Sequence, residues 1–231
     1  VAEQMKSERF KTELITNVSH DIKTPLTSII NYVDLIKKEG ISEEKVREYV
    51  EVLDRQSARL KKLIEDLLEA SKASTGNVEM HMEPCDAAVM ISQVVGEYQD
   101  KLQAQDIEIV VNEAKNPANI MADGRHLWRV FDNIMSNICK YTQDHTRVYV
   151  NVEDAGDQVR MIFKNISKYP LNISSDELME RFVRGDASRN TEGHGLGLSI
   201  ASSLTALMDG QLTIDIDGDL FKITVAMKKQ A

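Results

Sequence analysis

The sequence predicts an α+β chain: an antiparallel helical hairpin, able to pair into a four-helix bundle, followed by an α/β sandwich with a mixed, mostly antiparallel sheet. Three observations carry this. Apolar residues recur at spacings of three and four through two long stretches before residue 71. A small, polar segment follows. Strictly alternating apolar residues then appear among helical stretches and end in a clear hairpin.

Over residues 10–36, Phe10, Leu14, Val18, Ile22, Leu26, Ile29, Val33 and Ile36 mark one face of a long amphipathic helix. Pro25 is expected to kink it, because proline has no N–H to donate and crowds the preceding turn. Lys37-Lys38-Glu39-Gly40 closes this helix. Ser42 caps a second, with Glu43 and Glu44 in its first turn, where the helix dipole favours acids. Its stripe runs through Val46, Tyr49, Val50, Leu53, Leu60, Leu63, Leu67 and Ala70, broken at Gln56 and Ser57. Two long helices joined by a short turn form a hairpin. One hairpin cannot cover both stripes, so dimerisation into a four-helix bundle is expected.

Residues 71–77, reading SKASTGN, place a boundary, giving a hairpin domain at 1–74 and a second domain at 77–231. In the second, residues 107–111 and 118–121 read as short strands. Residues 123–141 read as a helix carrying Leu127, Val130, Phe131, Ile134 and Ile138. Residues 148–152 and 159–163 read as paired strands, 176–182 as a short helix and 196–208 as a longer one. Leu212, Ile214 and Ile216 then alternate, Asp217-Gly218 turns the chain, and Phe221, Ile223 and Val225 alternate back. Strands interleaved with helices imply one helical layer on the sheet.

With 231 residues and 42% apolar content the chain can bury a sizeable core. A formal charge of −9 argues against nucleic acid as a partner, since no basic surplus is available to neutralise phosphates. Cys85 and Cys139 lie far apart without metal spacing, which reads as two reduced core thiols and a cytosolic setting. No apolar run reaches the roughly 18 residues a membrane span needs, and the N-terminus lacks signal-peptide organisation. The chain is therefore expected to be soluble and cytoplasmic as given. It begins in mid-pattern, which suggests that upstream protein is left out.

Three clusters carry candidate chemistry. The first is Ser19-His20-Asp21-Ile22-Lys23-Thr24-Pro25-Leu26. At 3.6 residues per turn His20 lies roughly 140° from the centre of the Phe10, Leu14, Val18 and Ile22 stripe, so its imidazole is expected to face solvent. An imidazole whose ordinary pKa is about 6.5 is a neutral nucleophile near pH 7, able to attack phosphorus. Asp21 can accept the other ring proton, and Thr24, one turn on, can position a water against a phosphorylated ring. An ordinary solvated helix face looks the same.

The second cluster is Asn133-Ile134-Met135-Ser136-Asn137-Ile138-Cys139-Lys140-Tyr141. Asn133, Asn137 and Lys140, at i, i+4 and i+7, put two amides and an ammonium on one face. That set suits a metal-bound polyphosphate, with carbonyl oxygen for Mg²⁺ and positive charge for phosphate oxygens. An ordinary wet face has the same spacing. The third is Glu192-Gly193-His194-Gly195-Leu196-Gly197-Leu198-Ser199-Ile200. Glycines ahead of an apolar helix let backbone N–H groups approach an anion, and the helix N-terminus adds partial positive charge. The spacing is neither a dinucleotide-binding fingerprint nor a Walker A loop, and a plain glycine-rich turn is the alternative. Just upstream, Glu180-Arg181-Phe182-Val183-Arg184-Gly185-Asp186 and Arg189 place guanidinium groups in a polar stretch that either folds over ATP as a lid or lies on the surface.

Taken in order, His20 to Leu26, Asn133 to Tyr141, Arg181-Phe182-Val183-Arg184-Gly185 and Gly193-His194-Gly195-Leu196-Gly197-Leu198 resemble the H, N, F and G2 boxes of sensor histidine kinases, and they cover nearly the whole chain. The resemblance implies a dimeric hairpin domain carrying the phosphoacceptor, then an ATP-binding domain of the type shared with gyrase, Hsp90 and MutL. It implies His20 as phosphoacceptor, Asp21 as its base, and Thr24 as the residue aligning water in a reverse, phosphatase reaction. Asn137 is then the Mg²⁺ ligand, with Asn133 and Lys140 at the phosphates and Tyr141 near base and ribose. Arg184 would lie near the γ-phosphate, and Arg189, Gly193, His194, Gly195, Leu196 and Gly197 in the lid and glycine loop around ATP. The implied partners are a second copy of the chain and a response-regulator receiver domain. Any membrane contact would come through segments absent from this chain.

One box departs from the pattern. Phe163-Lys164-Asn165-Ile166-Ser167-Lys168-Tyr169 stands where the family usually has an aspartate followed by two spaced glycines. The family's aspartate accepts a hydrogen bond from the adenine amino group. Asn165 can accept one through its amide oxygen, but without charge, and the missing glycines are expected to alter the pocket wall. Weaker ATP affinity or looser base selectivity follows. Ile138 replaces a small residue and is expected to fill part of the pocket.

The function this implies is an ATP-dependent protein-histidine kinase that passes its phosphoryl group to a response-regulator aspartate and also acts as its phosphatase. One rival is a module of the same fold that binds nucleotide poorly and works as phosphatase or scaffold. An ATPase of the gyrase type is another, but it needs a glutamate where Asn133 stands, and an amide is no general base. A coiled-coil hairpin fused to a structural α/β domain is the third.

Overall fold

The structure, a computed structural model, describes residues 19–37, 42–75, 78–112, 118–171 and 196–230. The start of the first predicted helix and the predicted helix at 176–182 lie outside them. Contacts divide the chain into two compact units, Val1–Glu69 and Ala70–Ala231.

In the first unit, α1 (Ser19–Ile36) runs on through Pro25, and α2 (Glu43–Thr75) follows. Ser42 caps α2 as expected, its Oγ accepting from the Lys45 N–H at 3.4 Å and its carbonyl from the Val46 N–H at 3.1 Å. Leu63 and Pro25 are buried, and the Tyr32 and Tyr49 rings meet with centroids 5.3 Å apart, tying α1 to α2. Leu26, Ile30, Val50, Ile64 and Leu68 stay exposed, so the hairpin leaves part of its apolar surface uncovered.

The expected boundary at 71–77 is helical through Thr75. Once a helix is nucleated, small polar residues propagate it at little cost. Ala70 and Ala73 join the core of the second unit.

That unit contains β1 (Glu83–Asp86), α3 (Ala87–Gln103), β2 (Glu108–Asn112), β3 (Asn119–Ala122), α4 (Gly124–Tyr141), β4 (Arg147–Asp154), β5 (Gln158–Ile166), α5 (Gly197–Leu207), β6 (Gln211–Asp217) and β7 (Leu220–Lys228). β1 pairs with β3, and the main sheet runs β2-β4-β5-β7-β6. β2 lies parallel to β4 and every other neighbour is antiparallel, the mixed sheet the sequence predicts. Alternate residues Val148, Val150, Val159, Met161, Phe163, Ile223 and Val225 are buried in one core with Leu127, Phe131, Ile134 and Ile138 of α4 and Ile200 and Leu204 of α5. The Phe131 and Phe163 rings meet at 5.9 Å across that interface, each burial contributing about 1.5–3 kcal/mol.

Three details differ from the sequence reading. β1 and α3 were not anticipated. The final hairpin turns one residue later, on Gly218 and Asp219 between the paired Asp217 and Leu220, with Gly218 taking the positive φ (57°) such turns require. Both thiols are half-buried rather than core, and burial raises the pKa of each. At the end of α5, Asp209 has φ 57° and Gly210 passes so close to β7 that a Cβ there would strike the Met227 Sδ and the Ala226 carbonyl. No helix among the described residues is long and apolar enough to cross a membrane.

Candidate functional site

Helix α4 carries the densest set of candidate residues, and four contacts fix its position. Asp123 caps its N-terminus: Oδ1 accepts from the Arg125 and His126 N–H groups at 3.0 and 3.2 Å. Oδ2 accepts from the His81 N–H at 2.9 Å, a bond across 42 residues to the segment before β1. Burial would raise the Asp123 pKa, but the His81 and His126 N–H groups, the His126 ring and the Arg125 N–H outweigh it and hold the carboxyl below the usual carboxylate range. In mid-helix, the buried Tyr98 of α3 donates to Asp132 Oδ1 at 2.6 Å, and Arg129 Nη1 lies 3.4 Å from Asp132 Oδ2. At the C-terminal end the Lys168 N–H donates to the Tyr141 carbonyl at 2.9 Å and the Gln143 N–H to the Ile166 carbonyl at 2.8 Å. Thr142 and Ser167 form a bridge beside them.

On the helix so held, Asn133 is buried (8% exposed), Asn137 half-buried and Lys140 exposed, so their shared face rises from core to solvent. Tyr141 is half-buried at its end. Ile138 belongs to the core, and its carbonyl accepts from the Thr142 hydroxyl at 2.6 Å. Asn165 sits on β5 one residue before the strand's last, 3% exposed, on the same face as the core residue Phe163. The pins between residues 141–143 and 166–168 bring it to the C-terminal end of α4. In place of glycines, the Ser167 hydroxyl closes a small turn, donating to the Tyr169 carbonyl at 2.8 Å and accepting from the Tyr169 N–H at 3.2 Å.

The start of α5 meets the other end of this face. Leu196 holds the N-cap position without a side-chain cap bond, and the helix N-terminus there carries partial positive charge. A Cβ on Gly197 would lie 3.5 Å from Asn133 Oδ1, ordinary contact distance, so the start of α5 packs beside that amide.

Among the described residues, two buried side-chain atoms on this surface find no hydrogen-bond partner: Asn133 Nδ2 and Asn165 Oδ1. Leaving such a group unsatisfied costs about 1–3 kcal/mol. A ligand with an acceptor at one end and a donor at the other recovers both. From Asn133 to Tyr141 the helix rises about 12 Å, which sets the length of that ligand. A shallow groove of about 300 Å³ lined by Arg147, Tyr149, Asn151 and Lys164 lies elsewhere. Its β4 side chains alternate with the core residues Val148 and Val150, so it opens on the sheet face away from the helices. Asn165 borders it, but Asn133, Asn137, Lys140 and Tyr141 do not.

The other candidates divide between the first unit and residues outside the described set. His20 lies in the first helical turns of α1, its side chain outside the described residues, with Asp21 half-buried and Thr24 exposed one turn on. Arg184, Arg189, Gly193, His194 and Gly195 lie outside the described residues. Sequence reasoning missed two positioning groups. The Asp123 cap had a local signal, an acid immediately before a helical stripe, but its bond to His81 had none. Tyr98 had a signal in the α3 stripe of Ile91, Val94, Val95, Tyr98 and Leu102.

Comparison with known proteins adds matches to two family models, two relatives and three solved structures. Residues 10–76 match the model of the His Kinase A (phospho-acceptor) domain, and residues 122–230 that of the histidine kinase-, DNA gyrase B-, and HSP90-like ATPase. The chain is 29% identical over 209 residues to the sensor protein VanS of Enterococcus faecium, covering 89% of this chain and 54% of that protein. It is 28% identical over 218 residues to the sensor protein kinase WalK of Staphylococcus aureus, covering 92% and 52%, so it spans about half the length of these relatives. Its fold matches the Acinetobacter baumannii histidine kinase AdeS (TM-score 0.73, 16% identity, 92% of this chain and 98% of that one) and full-length ShkA solved with AMPPNP (0.70, 22%, 95% and 46%). It also matches the histidine kinase ThkA, solved with its response regulator TrrA (0.71, 19%, 99% and 66%).

Proposed function

Because the chain belongs to the sensor histidine kinases, we propose that it is the catalytic core of such a sensor, binding ATP with Mg²⁺ on α4 and α5 and phosphorylating its own His20. The phosphoryl group then passes to an aspartate of a response-regulator receiver domain, and the same core catalyses the reverse dephosphorylation. The observation that carries the nucleotide reading is the pair of orphaned amides, Asn133 and Asn165, at opposite ends of the α4 face. The helix rise of about 12 Å between Asn133 and Tyr141 leaves room for a base, a ribose and phosphates along that face. The nucleotide analogue bound to ShkA supports the same reading.

Asn133, Asn137 and Lys140 hold the polyphosphate end, where the first-turn N–H groups of α5 add positive potential. Mg²⁺ bound with the nucleotide supplies charge neutralisation at the phosphate oxygens, and Asn137, half-buried, offers it an amide oxygen. Arg184, Arg189, Gly193, His194 and Gly195, outside the described residues, remain nucleotide-binding candidates by resemblance alone. Asp21 accepts the proton of one His20 ring nitrogen and keeps the other basic. That nitrogen forms a bond to the γ-phosphorus as the bond to the β,γ-bridging oxygen breaks and ADP leaves. Thr24 aligns a water for the phosphatase direction.

A second copy of the hairpin covers Leu26, Ile30, Ile64 and Leu68, which makes the working form a homodimer. The TrrA complex of ThkA supports a receiver domain as the other partner. A second reading, a phosphatase or scaffold that binds nucleotide weakly, is favoured by the uncharged Asn165 and the glycine-free turn after it. One experiment separates them. The chain is incubated with Mg²⁺ and γ-labelled ATP, and the bound label is tested for acid and base stability in wild type and His20→Ala. Acid-labile, base-stable label lost in the variant is expected. Binding of ATP without label in wild type would overturn the kinase reading in favour of the second.

A further inference from the structure

We infer that Asn165 makes the purine end of the site two-way, so that it accepts the 6-oxopurine nucleotides GTP and ITP as well as ATP. The inference rests on the nucleotide reading above. Asn165 is almost wholly buried, and its Oδ1 has no partner among the described residues. Asn133, in the middle of α4, meets the first turn of α5 at Gly197, where the helix N-terminus draws the phosphates. Asn165 lies at the C-terminal end of the same face, beside Tyr141 and Thr142, so the group it meets is the base.

The hydroxyls flanking it are committed as donors. Thr142 Oγ1 donates to the Ile138 carbonyl at 2.6 Å, and Ser167 Oγ to the Tyr169 carbonyl at 2.8 Å. Asn165, with its free Oδ1, is the side chain we assign to the purine edge. A carboxylate there would accept only, favouring an exocyclic amine and repelling a carbonyl. A carboxamide has one acceptor and two donors on the same planar head. With Oδ1 forward it takes the 6-amino group of adenine. Rotated by half a turn about χ2, it offers Nδ2 to the 6-oxo group of guanine or hypoxanthine. The two orientations of the amide are nearly isosteric, so at the 6-position Asn165 excludes neither an amino nor an oxo group by shape.

The ATP-to-GTP ratio is measured twice in wild type and Asn165→Asp. Displacement of a fluorescent ATP analogue by Mg-ATP and Mg-GTP needs no phosphoryl transfer, and label uptake from the two γ-labelled nucleotides does. In wild type the two nucleotides are expected within about tenfold of each other, and in Asn165→Asp ATP should lead by more than about a hundredfold, because two acceptors then face each other. A wild-type preference for ATP beyond about a hundredfold overturns the inference, as does a ratio unchanged in the variant. Should Asn165→Asp fail to fold, the wild-type ratio decides alone. The expected displacement ratio without label would overturn the kinase reading and uphold this one, and no displacement by either nucleotide would overturn both.

Discussion

The Asp123 carboxylate serves two duties with its two oxygens, and substitution separates them. In Asp123→Asn, Oδ1 still accepts from Arg125 and His126, but an NH₂ group replaces Oδ2 and faces the His81 N–H, donor against donor. Losing that charge-assisted bond and burying a mismatched donor costs about 1–2 kcal/mol. Asp123→Ala removes the cap as well, about 1 kcal/mol more, for a total of about 2–3 kcal/mol. At about 3 °C per kcal/mol for a unit of this size, the melting point of the Ala70–Ala231 unit should fall by about 3–6 °C in the asparagine variant and 6–9 °C in the alanine variant. The assay is thermal unfolding followed by circular dichroism, with hydrogen exchange at the His81 amide. The pH dependence carries a sign. The folded-state pKa of Asp123 is lowered, so its contribution is complete above the unfolded carboxylate value of about 3.9 and is lost as pH falls through the folded value. Wild type should therefore lose its advantage over Asp123→Asn below about pH 4. Equal melting points for the two variants, or unchanged exchange at His81 in Asp123→Asn, would refute the division of labour.

Two further outcomes follow from packing and from a buried phenol. Gly210→Ala drives a methyl group into Met227 and the Ala226 carbonyl and should cost about 1–3 kcal/mol, whereas Gly96→Ala on α3, with nothing within 4 Å, should stabilise by about 0.5–1 kcal/mol; thermal unfolding of both against wild type checks the pair. Tyr98→Phe removes the 2.6 Å bond to the Asp132 carboxylate and should lower stability by about 1.5–3 kcal/mol in urea titration. Burial and then the Asp132 bond raise the phenol pKa, so that stability is complete below the unfolded value near 10 and lost as pH rises through the folded value; the gap between wild type and Tyr98→Phe should shrink above pH 10.

Elements whose stability is local were legible. The β6–β7 hairpin announces itself through alternation, α4 through its stripe, and α2 through Ser42, because each signal lies within a few residues of what it controls. α3 was overlooked although Asp86 caps it and its apolar residues keep helical spacing. An exposed Val89 and the helical Gly96 blur that stripe when read as a string. At the site, residue identities were legible and relations were not. Asn133, Asn137 and Lys140 could be placed on one face by counting, but the contact of Gly197 with Asn133 joins residues 64 apart. The Asp123 bond to His81 likewise has no local trace. The orphaned state of Asn165 depends on what the fold fails to put beside it.

The strand order gives β7 an unusual weight. Of the five strands of the main sheet it comes last in sequence, yet it lies inside the sheet, paired along all nine residues of β5. A nascent chain therefore presents β5 with one edge open until about 60 more residues have been added, a wait of roughly 3–12 s at ordinary translation speeds. During that interval the edge of Val159, Met161, Ile162 and Phe163 is an adhesive one. Here a premature stop ahead of β7 would remove an interior stave and leave a ribosome product that pairs with its neighbours instead of itself.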